Sequence, residues 1–441
     1  MHLRETLKIN AQRHLEIGGC DTVGLAEKFG TPLYVFDEQY IRNMIKIFKR
    51  TIDDKYDGRG MVLYASKAFS CKAIYVIAHS EGIGCDVVSG GELYTALKAG
   101  FPANKIFMHG NNKTIAELTE AVEAGVGYIV VDSYREAELL NSIAKEHAIK
   151  QKILLRINPG VEAHTHAFVQ TARTDSKFGF SVSDGSALKI TELVLQLSNL
   201  DLQGYHCHIG SQIFEKQSFV LAANKVMDFM SFIKKQTRLS PKVLNIGGGF
   251  GIHYTDDDPV LTENDYAQYL TALIDAIKQK AEEHKLDLPY LFIEPGRSIV
   301  GEAGITLYTV GAIKDIPGIK KYVAIDGGMF ENPRYALYQS KYTVVKASDM
   351  KSACTQKVTI AGKCCESGDL IAVDVNMPEV ESGDILAVLS TGAYNYSMAS
   401  NYNRNLVPQA ILVKDGKADI IIRKQNYEDL VRNDVIPDRL S

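Results

Sequence analysis

Between about residue 60 and residue 300 the chain alternates short apolar runs with longer amphipathic ones, and this alternation constrains its fold more than any other feature. The runs are Val62–Ala65, Gly84–Val88, Ile106–His109, Tyr128–Asp132, Ile153–Asn158, Tyr205–Ile209, Val243–Ile246 and Leu291–Glu294. They lack clean polar alternation, as strands buried on both faces do. Between them lie helical patterns such as Glu92–Ala99, Ile115–Ala124, Arg135–His147, Leu188–Leu197 and Ala267–His284, two of them closed by Gly100 and Gly125. Strands alternating with helices pair in parallel through right-handed crossovers, and eight such units close into a (β/α)8 TIM barrel. A further helical segment, Glu38–Arg50, precedes the first run, and no long helical pattern follows the eighth.

A barrel takes about 250 residues, so a chain of 441 has room for a second domain. After Gly296 the pattern becomes β-rich: Ile305–Ile313, Tyr322–Asp326, Tyr342–Ala347, Lys357–Ala361, Asp384–Ser390, Ala410–Val413 and Ala418–Ile422, with Lys414-Asp415-Gly416 as a hairpin turn between the last two. We therefore expect a barrel over 38–300 and an antiparallel, barrel-like β-domain made of 1–37 and 301–441, with the extended segment Pro32–Phe36 joining the latter. The net charge of −4, with no basic run, argues against nucleic acid and anionic membrane as partners. No apolar stretch is long enough to span a bilayer, and Met1–Asn10 lacks the apolar centre of a signal peptide. Seven cysteines, odd in number and without C-x-x-C, read as reduced thiols, so the expected location is the cytoplasm.

TIM barrels place their chemistry at the C-terminal ends of the strands. There the sequence has Lys67 after the first run, Asp86 in the second, His109 ending the third, His206 and His208 followed by Gly210 and Ser211 at the sixth, Gly247-Gly248-Gly249 after the seventh, and Glu294-Pro295-Gly296-Arg297 at the eighth. Glycines let backbone N–H groups approach an anion closely, and barrels commonly bind phosphate at the loops after strands seven and eight. A lone triple glycine is usually a tight turn; its place beside Gly296-Arg297 favours phosphate. Lys67 taken alone would be a surface ion-pair partner. With a phosphate site and Glu294 it fits pyridoxal phosphate: aldehyde on Lys67, phosphate on the glycines, ring nitrogen on Glu294. The bland alternative for Glu294 is an ion pair with Arg297. His109, His164 and His166 lie near strand ends, but no two histidines carry a metal-like partner set, so no metal is expected. His206 can be explained as packing inside the barrel.

Larger motifs extend the pattern. Tyr64-Ala65-Ser66-Lys67-Ala68, His206-Cys207-His208-Ile209-Gly210-Ser211-Gln212, Gly247-Gly248-Gly249-Phe250 and Glu294-Pro295-Gly296-Arg297 are followed by Asp326-Gly327-Gly328-Met329, Asn332-Pro333-Arg334-Tyr335-Ala336-Leu337-Tyr338, Cys365-Glu366-Ser367-Gly368-Asp369, and Gly392-Ala393-Tyr394 leading into Ser397–Asn403. In this order, from about residue 20 to 425, they resemble the fold-type-III, alanine-racemase-like decarboxylases that use pyridoxal 5'-phosphate, and among them the diaminopimelate decarboxylase family. The resemblance implies decarboxylation of meso-2,6-diaminopimelate at its D-centre to L-lysine and carbon dioxide. It implies that Lys67 binds the cofactor's aldehyde, that His208 stacks on its ring, and that Glu294 pairs with the ring nitrogen. Ser211, Gly247, Gly248, Gly249, Gly296, Arg297 and Tyr394 would surround the phosphate, with Asp86 and Glu92 in support. Arg297, Arg334, Tyr338, Tyr394 and Glu366 would read the substrate, and Cys365 would return a proton to its carbon. It further implies a homodimer with shared sites.

The substrate set is chemically coherent. The distal end of diaminopimelate needs a carboxylate binder and an ammonium binder, which arginines and Glu366 supply. The nearest rival within the class acts on carboxynorspermidine, arginine or ornithine; a diamine-forming substrate needs only the acidic contact, so Arg297 and Arg334 together argue against the diamine formers. A non-catalytic cofactor-binding homologue should have lost Lys67, Cys365 or Glu366, and all three are present. Racemisation would need a base on each face of the ring. Small buried thiols are what most free cysteines are, and Cys364 is read that way. Two departures from the family pattern stand out, Glu331 in place of Asp and Asn405-Leu406-Val407 in place of a more basic, proline-containing stretch. A loop over 160–180 is expected.

Overall fold

A computed structural model describes residues 3–4, 6–161 and 176–440. They form two compact units, Arg42–Ile252 with Pro259–Ile299, and Met1–Ile41 with His253–Asp258 and Val300–Ser441. His164, His166 and most of the expected 160–180 loop lie outside the described residues.

In the first unit each of the eight apolar runs is a strand: Gly60–Ala65, Gly84–Val87, Ile106–Met108, Tyr128–Val131, Gln151–Asn158, Leu200–His206, Val243–Asn245 and Tyr290–Ile293. Every neighbouring pair is parallel, and the eighth pairs back onto the first with Phe292 opposite Met61, so the sheet closes. A two-residue strand, Phe180–Ser181, adds alongside Ile157 and Asn158. The barrel is filled by Leu63, Phe107, Val130, Leu154, Val243 and Phe292, one side chain from each of six strands. The helices start and stop where local chemistry dictates. Thr114 and Glu117 form a reciprocal capping box at the head of Ile115–Ala124, and Gly125 ends it at φ 71°. Only a four-residue helix, Arg297–Val300, follows the eighth strand.

The second unit is built on the 13-residue strand Gly304–Ile316. Its sheet runs Leu370–Met377, Gln356–Ala361, Lys320–Ile325, Gly304–Ile316, Leu33–Asp37, Ala410–Lys414, Lys417–Ile422. The domain is mostly antiparallel, as expected, with two parallel pairings. Lys320–Ile325 pairs with Gln356–Ala361 in parallel, and so does Ala410–Lys414 with Leu33–Asp37, because long connections bring those strands back in the same direction. Leu15, Ile17, Val35, Leu307, Ala387 and Ile411 are among the residues of its core. Among the described residues, no helix is long and apolar enough to cross a membrane.

Candidate active site

Two residues beyond the apolar filling of the barrel, on the same inward face, the side chains turn polar: Phe107 is followed by His109, Val130 by Asp132, Leu154 by Arg156, Val243 by Asn245 and Phe292 by Glu294. Glu294 is the centre of this layer and is buried. Its Oε1 lies 2.9 Å from His109 Nε2 and accepts a 2.7 Å hydrogen bond from Asn245 Nδ2. Its Oε2 lies 3.3 Å from His206 Nε2. Burial pushes the carboxyl up, but the two histidines more than reverse that and hold it well below the usual carboxylate range. Burial in turn holds His109 down, and His206 down to about 4, so the His206 ring is a neutral donor near neutral pH.

Lys67 sits half-buried in the single turn Ser66–Ala68 that follows the first strand. That turn is tied to the second strand's end by Glu92, whose Oε2 accepts from Ser66 Oγ at 2.6 Å and from the Val88 N–H at 2.8 Å. Asp86 stands opposite Ala65 in the register and is buried. Burial, then Glu294, push its carboxyl well up, against the pull of Lys67. His208 lies beyond the sixth strand, and desolvation with Lys67 and Arg156 nearby holds it well below the histidine range.

The glycines are there because nothing larger fits. A Cβ on Gly247 would stand 2.7 Å from Cys207 O and 3.0 Å from His208 Nδ1; on Gly248, 2.1 Å from Glu294 O; on Gly249, 2.4 Å from Gly210 O; on Gly296, 2.8 Å from Ala65 Cβ. Backbone from the first, sixth, seventh and eighth strand ends is thus drawn together. Gln212 laces two of these loops, donating from Nε2 to Ile252 O at 2.6 Å and accepting from the Ile252 N–H at 3.2 Å. Arg297 donates to Ser211 Oγ at 2.9 Å, while Glu294 is engaged by the histidines and Asn245, which replaces the simple Glu294–Arg297 pair as an explanation.

In the other unit, Arg334 is buried, donates from Nε to Tyr342 OH at 2.9 Å, and has its guanidinium 5.6 Å from the Tyr338 ring centroid and 5.3 Å from that of Tyr394. Tyr394 has φ 72°, a left-handed conformation that is strained for a bulky residue and concentrates at functional sites. Cys365 and Glu366 are exposed, and the Cys365 N–H donates to Asn403 Oδ1 at 2.8 Å. Asp369 is buried and binds the N–H groups of Met329 and Cys364, both at 2.6 Å, joining the D-G-G-M and C-E-S-G-D motifs. Cys364 is half-buried, its thiol pushed up to about 12 by burial and Asp369.

Several residues with a part in this arrangement had no role from the sequence. Two expectations are corrected: His206 does not merely pack, and two histidines do share a carboxylate, since His109, His206 and Glu294 hold ligand-type atoms within 4.8 Å of one another. Asn245 already donates to Oε1 and His206 hydrogen-bonds Oε2, so the group reads as a supported acceptor. The overlooked signal for Asn245 was one polar residue inside an apolar strand. Arg156, 3.8 Å from Asp132, had the same signal. Asn403 lay inside a quoted motif without a task.

Pyridoxal phosphate fits these residues. The lysine turn, the charged acceptor with donors behind it and the backbone cradle that any Cβ would fill match its aldehyde, ring nitrogen and phosphate. Barrel and site together define a pyridoxal-phosphate-dependent decarboxylase, a carboxy-lyase, and residues 40–301 match the family model described as "Pyridoxal-dependent decarboxylase, pyridoxal binding domain". The chain is 49% identical over 435 residues to the diaminopimelate decarboxylase of Bacillus subtilis, covering 99% of this chain and 98% of that one, and 48% identical over 427 residues to that of Bacillus methanolicus, covering 97% and 98%. The crystal structure of diaminopimelate decarboxylase from M. jannaschii in co-complex with L-lysine superposes with a TM-score of 0.91 at 37% identity, covering 99% of both chains. The chain belongs to the diaminopimelate decarboxylase family.

Proposed function

We propose that this protein decarboxylates meso-2,6-diaminopimelate at its D-centre, giving L-lysine and carbon dioxide, the last step of lysine biosynthesis. The observation that carries the reading is the buried Glu294, kept charged among His109, His206 and Asn245 at one end of the barrel. When bound, pyridoxal phosphate supplies an electron sink for the carbanion left by loss of carbon dioxide.

The chain's own residues do the rest. Lys67 binds the aldehyde carbon through Nζ. Glu294 holds a proton on the ring nitrogen, and His208 covers the ring. Asp86 supports the Lys67 side, and Ser211 with Gly247, Gly248, Gly249, Gly296, Arg297 and Tyr394 receives the phosphate. Arg334 presents a planar donor to the distal carboxylate with Arg297, Tyr338 and Tyr394 beside the substrate, while Glu366 meets its ammonium. Cys365 holds at Sγ the proton returned to the substrate carbon. In this reading residues 38–300 form the cofactor-binding domain and 1–37 with 301–441 the β-domain. The active species is a cytoplasmic homodimer in which Cys365 and Glu366 serve the partner's site, and light scattering that found a fully active monomer would exclude it.

The deciding assay incubates cofactor-loaded protein with meso-diaminopimelate and measures carbon dioxide and L-lysine together. Equimolar products, lost in Lys67→Ala, are expected. Bound cofactor without gas release would refute the substrate assignment.

A further inference from the structure

Glu294 is buried at the inner end of the eighth barrel strand, where an isolated carboxylate would be costly to ionise. Asn245 and His206 hydrogen-bond to it and His109 Nε2 lies 2.9 Å away, and the choice of neighbours is informative. A lysine or arginine in contact would neutralise the carboxylate and compete with any cation it should serve. Asn245 and two imidazoles instead stand there without a full charge. Arg156 and Lys67 are the nearby cations, and Arg156 has Asp132 as its ion-pair partner at 3.8 Å. Asp86, whose charge would oppose that of Glu294, is itself pushed well above the usual carboxylate range, first by burial.

The two rings meet edge to face, centroids 4.8 Å apart, so each fixes the other's plane. The hydrogen-bond partners also set the tautomer. Glu294 takes His206 Nε2 in a hydrogen bond, and among the described residues His206 Nδ1 has no partner, as suits a bare lone pair rather than an N–H; His109 Nε2 is in close contact with Oε1 at 2.9 Å. Asn245 is held in turn, since its Oδ1 accepts from the Gly247 N–H at 2.8 Å, which ties the carboxylate's support to the glycine cradle.

We propose that His109 and His206 are positioning residues: His206 hydrogen-bonds Glu294 Oε2 through Nε2, His109 sets its Nε2 2.9 Å from Oε1, and together they hold that carboxylate ionised and fixed for the ring nitrogen of pyridoxal phosphate. The inference rests on the reading of Glu294 given above. Nothing in it requires either histidine to touch substrate or to move a proton.

The test uses the holoenzyme and two readouts besides turnover, the dissociation constant of pyridoxal phosphate and the pH dependence of the bound cofactor's visible absorption. His109→Leu and His206→Leu remove an imidazole; His109→Gln and His206→Gln keep an N–H near the Nε2 position. All four are made in the native and Glu294→Gln backgrounds. A hydrogen bond to a charged group is worth enough that each Leu variant should weaken cofactor binding by about tenfold. The absorption midpoint should move as well, and the Gln variants should recover most of both effects. In the Glu294→Gln background the Leu variants should lose nothing further. The proposal is overturned if the losses persist undiminished in that background, or if Gln rescues no better than Leu. If a Leu variant does not fold, the Gln variants and their Glu294→Gln doubles still decide, since a loss there independent of Glu294 overturns it. Glu294→Gln that binds and absorbs like the native protein would mean that the underlying reading has failed, a result distinct from failure of the histidines alone.

Discussion

Replacing Gly248 by Ala tests whether the close packing of backbone at the barrel's end is what forms the cofactor site. The added Cβ would stand 2.1 Å from the Glu294 carbonyl oxygen and 2.9 Å from its carbon, whereas real Cβ contacts stay beyond roughly 3.0 Å. About 0.9 Å must therefore be recovered (3.0 less 2.1), and the obstacle is backbone rather than a flexible side chain. Either the glycine loop or the backbone of Glu294 gives way, and both belong to the candidate site. Overpacking of this kind costs about 1–3 kcal/mol. A displacement near 1 Å in a positioning loop can weaken function by roughly a hundredfold. Gly248→Ala should thus raise the dissociation constant of pyridoxal phosphate by about two orders of magnitude, read by titrating the apoprotein and following the visible band. Gly91→Ala is the control, because its Cβ would meet only Ser89 Oγ at 3.8 Å inside the helix Gly90–Lys98, where alanine is favoured by about 0.5–1 kcal/mol. If Gly248→Ala binds cofactor as tightly as the native chain, the triple glycine is only a turn and the phosphate assignment falls.

Other perturbations probe different parts of the chain. Lys113 Nζ lies 2.8 Å from Glu136 Oε1 with both side chains buried, so Lys113→Met should cost about 3–5 kcal/mol in urea unfolding, and Lys113→Met with Glu136→Leu distinctly less; equal losses would mean the pair is not what matters. Glu331 is buried against Tyr308 OH at 2.8 Å and the Gly328 N–H at 2.9 Å, and burial pushes it up to about 8. Its folded form therefore keeps a proton that the unfolded chain releases near pH 4.5, so stability should fall as pH rises from there to about 8, by at most about 1.4 kcal/mol per pH unit. Glu331→Gln should flatten that slope in melts recorded across the range, and an unchanged slope would reject the assignment. Arg334→Lys removes the planar fork and its contacts with Tyr338 and Tyr394, so KM for diaminopimelate should rise at least about tenfold with kcat less affected. A fall in kcat alone would argue against a binding role.

Much of this was legible in the residues, for reasons that can be named. All eight barrel strands announced themselves because a doubly buried strand leaves an uninterrupted apolar run. The strands Leu7–Ile9, Leu15–Ile17 and Cys20–Asp21 are too short to show any period, and Leu370–Met377 is broken by Asp374 at φ 54°, so all four went unread. Lys67 and Glu294 were visible because a charged residue ends an apolar run. The tie between Asp369 and the Met329 N–H could not be read, because it spans 40 positions and depends on a folded loop. The parallel pairing of Ala410–Lys414 with Leu33–Asp37 is equally remote in sequence. Nor does spacing alone indicate that Asn403 holds the Cys365 N–H.

The polar layer suggests a rule that the strand-end reading used only in part. Taking the inward residue two positions past each of the six filling positions gives Ala65, His109, Asp132, Arg156, Asn245 and Glu294, and five of these six are polar, while Asp86 and His206 stand likewise two past Gly84 and Gly204 on the other two strands. The exception is explained by contact, since a Cβ on Gly296 would lie 2.8 Å from Ala65 Cβ, so this strand must stay small for the eighth loop to close in. A residue with period two shares its face with the one before it, so a strand filling the barrel at one position presents the next inward side chain to the site. His206-Cys207-His208 carries the alternation past the end of the sixth strand. The outer histidines flank Cys207, whose thiol burial pushes up to about 12 and which therefore stays a neutral packing group. Asp132, Arg156 and Asn245 can thus be found from the sequence once the filling residues are known, without any motif. What the pattern cannot supply is the division of labour within the layer. That depends on which side chains meet across the closed barrel, and here three of them, from strands three, six and seven, converge on the one from strand eight.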